Sequence, residues 1–380
     1  MRLALLAALV AATASAQETA PHVTLGGDLQ VDARAVWGET DASTFLARRA
    51  RFRIEAAPGG PFRARLLADV AGGQLALLDA YAEARLAPGV AVRVGKFKAP
   101  VGLERLRAPT DLDLPERSFV TALVPNRDLG VLLRLTPGRQ SVELALTNGA
   151  ADGASVDVDP DAAKDVTGRL FVRPVRGGLF DGLAVGLAAS AGAARGTDAA
   201  PLLSPYATSG RDVFYRPRPE AVADGARARV APQLLWLAGP ASLLAEAAAS
   251  RQRVRLGDAV EALDHRAWNV TASVVLTGEA ATYGRLRPAR PLGSEPGAWG
   301  AVAVAARVHR LALDADAFPT FADPAVSARA ETAAGVAVNW SPTDAARLQL
   351  SAERAVFTAA PGATARPAET LVLGRLQLAY

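Results

Sequence analysis

The chain has 380 residues, half of them hydrophobic, and 42 basic against 38 acidic residues give a net charge of only +4. It contains no cysteine, which excludes a disulfide scaffold, thiol chemistry and thiolate metal sites. The three histidines, His22, His265 and His309, are scattered and form no H-E-x-x-H motif, so neither a metal centre nor a cofactor is expected. No nucleotide-binding loop or calcium motif occurs, and no nucleic-acid partner is expected.

Residues 1–16 read as a secretory signal. Met1-Arg2 is a short basic start, LALLAALVAA is an apolar run too short to span a bilayer, and Ala14 and Ala16 form an A-x-A cleavage site. Beyond it no apolar run reaches the length of about 18 residues that a membrane helix needs.

The remainder alternates with period two, the signature of strands with two unlike faces. In GGDLQVDARAVW, Leu29, Val31, Ala33, Ala35 and Trp37 fall on one side, with Asp28, Gln30, Asp32 and Arg34 on the other. Phe52, Ile54 and Ala56 alternate with Arg51, Arg53 and Glu55, and further on Phe62, Ala64 and Leu66 alternate with Arg63 and Arg65. Trp268, Val270, Ala272, Val274 and Leu276 do so later against Asn269, Thr271, Ser273 and Thr277. Such segments are centred near residues 31, 52, 65, 81, 92, 131, 144, 169, 186, 229, 246, 272, 304, 335, 350 and 374. Most have the length of about 9–11 residues that a tilted transmembrane strand requires. Pieces such as APGGP, APGV and TPGR suit tight turns. Longer polar connections near 96–127, 148–164, 193–224 and 280–298 suit loops gathered at the other end.

The expected fold is therefore all-β: a closed antiparallel transmembrane β-barrel of about 16 strands forming one domain over residues 17–380. Trp37, Trp268, Trp299 and Trp340 near strand ends suit an interfacial belt. The last residues, GRLQLAY, alternate and finish on an aromatic, an ending similar to the insertion signal of bacterial outer-membrane barrels.

Only Lys96, Lys98 and Lys164 are lysines, so the remaining 39 basic residues are arginines. They recur on the polar side of successive strands, as Arg34, Arg51, Arg53, Arg63, Arg65, Arg85, Arg93, Arg134, Arg169 and Arg173. A lumen lined in this way offers planar donor forks to oxyanions, the usual device of anion-selective pores. The competing reading is that these arginines pair with Asp28, Asp32, Glu55, Asp69 and Glu83 on neighbouring strands and cancel their own field.

The longest connection, within VGKFKAPVGLERLRAPTDLDLPERSFVTALVPNRDLGVLL, is charged and stiffened by Pro100, Pro109 and Pro115, as a functional loop would be. Its motifs GKFKAPVGLE, ERSFV and VPNRDLGV resemble the phosphate-selective porin O and P family. Colinear matches follow in ARRARFRIE, YRPRP, AWNVTASVVLTGE and GVAVNWSPTDAARLQLSAER. The resemblance implies a homotrimeric outer-membrane porin of sixteen strands whose third loop folds into the lumen and narrows it. It also implies passage of small anions such as phosphate, in contact with outer-membrane lipid. The residues it assigns to the constriction and anion path are Arg48 and Arg49, the carboxylate Asp79, Arg105 and Arg117, with Arg216 and Arg218 leading inward. One departure is that Leu106-Arg107-Ala108-Pro109 stands where phosphate-specific members carry hydroxyl residues. An anion channel of broader taste, or a general porin with little selectivity, fits that departure.

Catalysis is not expected. Ser341 or Ser351 with His309 would supply a nucleophile and base, but neither serine sits in a G-x-S-x-G setting. The signal makes one direct prediction: intact-mass analysis of the exported protein should give a chain beginning at Gln17. A chain that retains Met1 would contradict it.

Overall fold

The computed structural model describes residues 20–380 except 40 and 160; the expected signal at 1–16 lies outside the described residues. Sixteen antiparallel strands close into a single barrel. The first nine are β1 (His22–Trp37), β2 (Ala42–Gly59), β3 (Phe62–Asp69), β4 (Ala76–Ala87), β5 (Val90–Lys98), β6 (Arg127–Leu135), β7 (Gln140–Thr147), β8 (Asp165–Val172) and β9 (Leu183–Arg195). A small ribbon of β10 (Tyr206–Ala207) and β11 (Val213–Tyr215) stands apart from the barrel sheet. The wall resumes with β12 (Val222–Ala238), β13 (Ala241–Leu256), β14 (Ala259–Val275), β15 (Ala301–Ala312), β16 (Ala328–Ser341), β17 (Ala346–Ala359) and β18 (Glu369–Ala379). Every strand centre expected from the alternation falls within one of the barrel strands.

Closure is made by β18 pairing with β1 from Asp28↔Ala379 to Trp37↔Thr370. Reciprocal backbone bonds between Gly27 and Tyr380, at 3.2 and 3.1 Å, finish the seam. The alternation sorts cleanly across this wall. On β1, Leu29 and Val31 are exposed on the outer face, whereas Gln30 and Asp32 are fully buried and Arg34 nearly so. Many inward arginines are paired across strands. Arg51 meets Asp69 at 2.8 Å, Arg65 meets Glu55 at 3.0 Å, and Arg93 meets Glu83 at 2.6 Å.

Antiparallel order puts the long connections 99–126, 148–164 and 196–221 at one end and both chain termini at the other. The connection 276–300 does not join them. It follows β14, which runs toward the terminus-bearing end, and so lies among the tight turns. Composition is the same at either end of a barrel, and only strand parity decides the matter. The segment also reaches inward: Tyr283 Oη donates to Leu103 O at 2.6 Å, and Arg107 Nε donates to Tyr283 O at 2.9 Å.

Connection 196–221 reads in sequence as polar and small, but Tyr206, Phe214 and Tyr215 are buried. They join Phe119, Phe318 and Phe321 in the largest apolar cluster, together with wall residues Val254, Leu263 and Leu311. Three aromatics carried by a short ribbon outweigh the polar residues around them.

Residues 99–126 reach the wall opposite their own attachment. β15 lies eight strands from β5 in the sixteen-strand ring. There His309 Nδ1 accepts Phe119 N–H at 3.1 Å, the two rings stack at 3.9 Å, and Arg307 donates to Glu116 O at 2.7 Å. Asn339 donates to Asp113 O at 2.9 Å and Arg347 to Thr110 O at 3.1 Å. A one-turn helix, Leu103–Leu106, opens the segment. Gly102 precedes it at φ 86°, where a Cβ would sit 2.9 Å from Val124 Cγ2. That backbone turn aims the N–H groups of Leu103 and Glu104 at the Glu246 carboxylate, at 2.5 and 2.9 Å. Glu104 in turn clamps Ser118, accepting its N–H at 2.8 Å and its hydroxyl at 2.5 Å.

Glu246→Ala would leave two buried N–H groups without an acceptor, each worth about 1–3 kcal/mol when unsatisfied. The expected result is a barrel that still folds, with the segment 99–126 cut more readily by added protease. Cleavage at the wild-type rate would contradict the anchoring role.

Candidate functional site

A cavity of about 520 Å³ lies between β2, the segment 99–126 and the ribbon connection 196–221. Seven cationic side chains line it, Arg48, Arg49, Arg51, Lys98, Arg105, Arg117 and Arg127, against two carboxylates, Glu116 and Asp152.

Local structure explains how neighbours in sequence reach the same side. Adjacent residues of a regular strand point to opposite faces. On β2 the pairing with β1 slips between Gln30↔Arg49 and Val31↔Ala47, so Arg48 is the extra residue of a bulge. Bulges re-aim side chains, and this one turns both Arg48 and Arg49 inward. Lys98 ends β5, Arg127 begins β6, and the two are directly paired in register. Like charges directly opposite each other destabilise a sheet; here Asp79 offsets one of them.

The cations fall into two groups. Three are matched by carboxylates: Arg48 with Glu116 at 2.9 Å, Arg51 with Asp69 at 2.8 Å, and Arg127 with Asp79 at 2.8 Å. Glu116 also receives Arg34 at 2.5 Å and Arg375 at 2.9 Å. Burial raises the pKa of that carboxyl, but Arg48 and Arg375 hold it well below the usual carboxylate range.

Four others have no carboxylate partner among the described residues. Arg49 donates to Gln30 Oε1 at 2.5 Å, and its Nε has no partner. Lys98 donates to Leu106 O at 3.2 Å and Arg107 O at 2.7 Å. Arg105 donates to Thr121 O, with its Nε left over. Arg117 donates to Glu104 O and, at 2.7 Å, to Arg107 O. Carbonyl dipoles orient these groups without cancelling their charge. Burial, then the neighbouring Arg117 and Arg127, push the pKa of Arg105 down to about 9, and burial pushes Arg117 down to about 10. Both stay cationic at neutral pH, under-compensated by their surroundings.

Of the seven site residues expected from sequence, four line this cavity: Arg48, Arg49, Arg105 and Arg117. Asp79 touches it through Arg127 and pairs with Arg65 at 3.3 Å. Arg216 and Arg218 lie apart. The Arg216 N–H bonds Ser327 Oγ at 3.2 Å, and the exposed Arg218 guanidinium bonds Pro319 O at 3.2 and 3.3 Å. Both fasten connection 196–221 to the connection 313–327. Alternation in the sequence puts Arg51 on the lumen side, but neither it nor Lys98 or Arg127 was expected at the site. The last two bracket the long connection in GKFKAP and VPNRDLGV, and their position at its two ends was the available signal.

Hydroxyls do line the cavity, from Ser118, Thr121, Ser204, Tyr206, Thr208 and Ser209 rather than from the stretch after Glu104. Five are engaged: Ser118 with Glu104, Thr121 with Ser118 O at 2.8 Å, Ser204 with Asp152 O at 2.6 Å, Tyr206 with Asp152 at 3.4 Å, and Thr208 with Glu369 at 3.1 Å; among the described residues Ser209 Oγ has no partner.

A search of curated proteins gives no match. Solved structures give the same fold at low identity. The outer membrane channel DcaP of Acinetobacter baumannii matches with TM-score 0.60 and 11% identity, over 95% of this chain and 98% of that one. An anion-selective porin from Comamonas acidovorans matches with TM-score 0.60 and 11% identity, over 95% and 100%. OmpT of Vibrio cholerae, in a structure described as a trimer form, matches with TM-score 0.56 and 11% identity, over 95% and 100%. The profile of the family described as phosphate-selective porin O and P matches residues 23–380, nearly the whole described barrel. The chain belongs to that family and is a β-barrel porin of the outer membrane.

Proposed function

We propose that the protein carries small anions, phosphate or related oxyanions, passively across the outer membrane, with residues 99–126 forming the constriction. The observation that supports this reading is the set of four cations, Arg49, Lys98, Arg105 and Arg117, that face the cavity without a carboxylate partner. At an effective dielectric constant of about 20, one such charge roughly 4 Å from an anion contributes about 4 kcal/mol. Spread along a cavity of about 520 Å³, the four cations offer an anion several overlapping positions, which keeps release possible.

The committed hydroxyls favour a broad oxyanion preference over recognition of orthophosphate alone, because five of the six hydroxyls at the cavity are spent within the protein and Ser209 alone is left to donate. The three carboxylate-matched arginines moderate the field and favour, as the second reading, a porin of weaker selectivity. A homotrimer fits the family and the trimeric form of a matching fold. The buried His309 ring serves as a structural acceptor for Phe119 in this reading, and no chemistry is assigned to it.

In planar bilayers under a KCl gradient, the purified protein should show a reversal potential of the sign set by chloride permeation. Cation preference, or no conductance, would contradict the proposal. Arg105→Ala with Arg117→Ala should lower the anion-to-cation permeability ratio by roughly 5-fold, and the effect should shrink at high salt. Arg216→Ala with Arg218→Ala should leave that ratio within about 2-fold of wild type. Equal effects from the two pairs would displace the site from the cavity.

A further inference from the structure

The arginines are not all inward. On the outer face of β14–β18, guanidiniums and hydroxyls appear among the apolar residues toward the loop end, with Val356 the one apolar residue of β17 beyond Arg354. β14 has Val274, Ala272, Val270 and Trp268 outward, then Arg266; β15 has Val304, Ala306 and Val308, then Arg310. β16 passes from Val336 and Ala334 to Thr332, and β17 from Leu350 and Ala352 to Arg354. The register places these residues side by side: Arg310 lies opposite both Trp268 and Thr332, and Arg354 opposite Thr370.

The side chains are poised rather than satisfied. Arg310 donates to Thr332 Oγ1 at 2.6 Å and Arg354 to Thr370 Oγ1 at 3.0 Å. Among the described residues neither has a carboxylate partner, and the exposed Arg266 has no side-chain bond. Asp264, one outward position above Arg266, is already taken by Arg251 at 3.4 Å. Guanidiniums on a lipid-facing wall are unfavourable at depth and tolerated near the interface, where Trp268 also belongs.

Directly below this line the wall is hollow. Outward residues including Ala272, Ala306, Ala334, Val336, Ala352 and Val372 line two adjoining grooves of about 500 and 590 Å³, and the upper one ends at Arg354 and Thr370. A short apolar trough that ends at Arg354, with Arg310 the next outward residue beyond its lining residue Val308, has the form of a seat for one kind of molecule. We propose that this face binds a phosphate-bearing lipid of the loop-side leaflet. Arg310 and Arg354 hold its phosphate groups, Thr332 and Thr370 orient the guanidiniums, and an acyl chain fills the trough. The two arginines stand two strands and two residues apart, roughly 12 Å, a spacing that suits a headgroup with more than one phosphate. This site is on the opposite face of the wall from the anion cavity and stands whether or not the pore prefers anions.

The test is native mass spectrometry of the purified full-length protein in detergent, titrated with diphosphoryl lipid A or with phosphatidylcholine. The expected result is retention of lipid A on the wild-type barrel and little retention of phosphatidylcholine. Arg310→Ala with Arg354→Ala should weaken lipid A retention about 10-fold while bilayer conductance, which also reports folding, is unchanged. Ala306→Phe with Ala352→Phe should weaken it too by filling the trough with both cations intact. Equal retention of the two lipids by the wild type, or unaltered lipid A binding by both variants, would overturn the proposal. So would a change in oligomer mass with lipid binding intact, which would make this face a contact between copies.

Discussion

A chain in hydrocarbon has nowhere to place an unpaired backbone N–H or C=O, and this constraint shapes everything else in the molecule. It requires that β1 find β18 and that the sheet have no edge, and the seam from Asp28 to Trp37 meets that requirement residue by residue. Once the ring is closed, alternation has a single meaning: odd and even positions belong to lipid and to the interior. The polar interior then becomes a place where charge can be concentrated, because carboxylates, carbonyls and water are all at hand there.

The interior uses charge in two ways. Many inward arginines are structural, matched to carboxylates such as Asp32, Glu55, Asp69 and Glu83 across a strand pair, and they stiffen the wall. Glu116 is the knot of this network, since Arg34, Arg48 and Arg375 converge on it and bind the segment 99–126 to three strands at once. The cations at the cavity differ in what they donate to. Arg105 and Arg117 spend their hydrogen bonds on carbonyls of the segment itself, which fixes their direction and leaves their charge uncancelled.

Much of this was legible in the sequence because period-two patterning is a local signal. All sixteen strand positions follow from it, as does the inward face that carries Arg34, Arg51 and Arg65. The family motifs also brought Arg48, Arg49, Arg105 and Arg117 to one place. What stayed hidden depends on long-range relations. Strand parity sends 276–300 to the terminus-bearing end, and the β2 bulge lets two adjacent arginines share a face. The burial of Tyr206, Phe214 and Tyr215 depends on partners more than a hundred residues away, such as Phe318 and Phe321. Arg216 and Arg218 show the converse: a motif match places them in the right connection, while their neighbours Ser327 and Pro319 give them a fastening role.

Uncancelled positive charge at one cavity is what would draw anions into the pore, and the position of a bound anion tests that charge directly. Crystals of the protein soaked in bromide and measured at the bromine absorption edge should show anomalous density among Arg49, Lys98, Arg105 and Arg117. Bromide found only at the outer loops, with the cavity holding water or a cation, would contradict it.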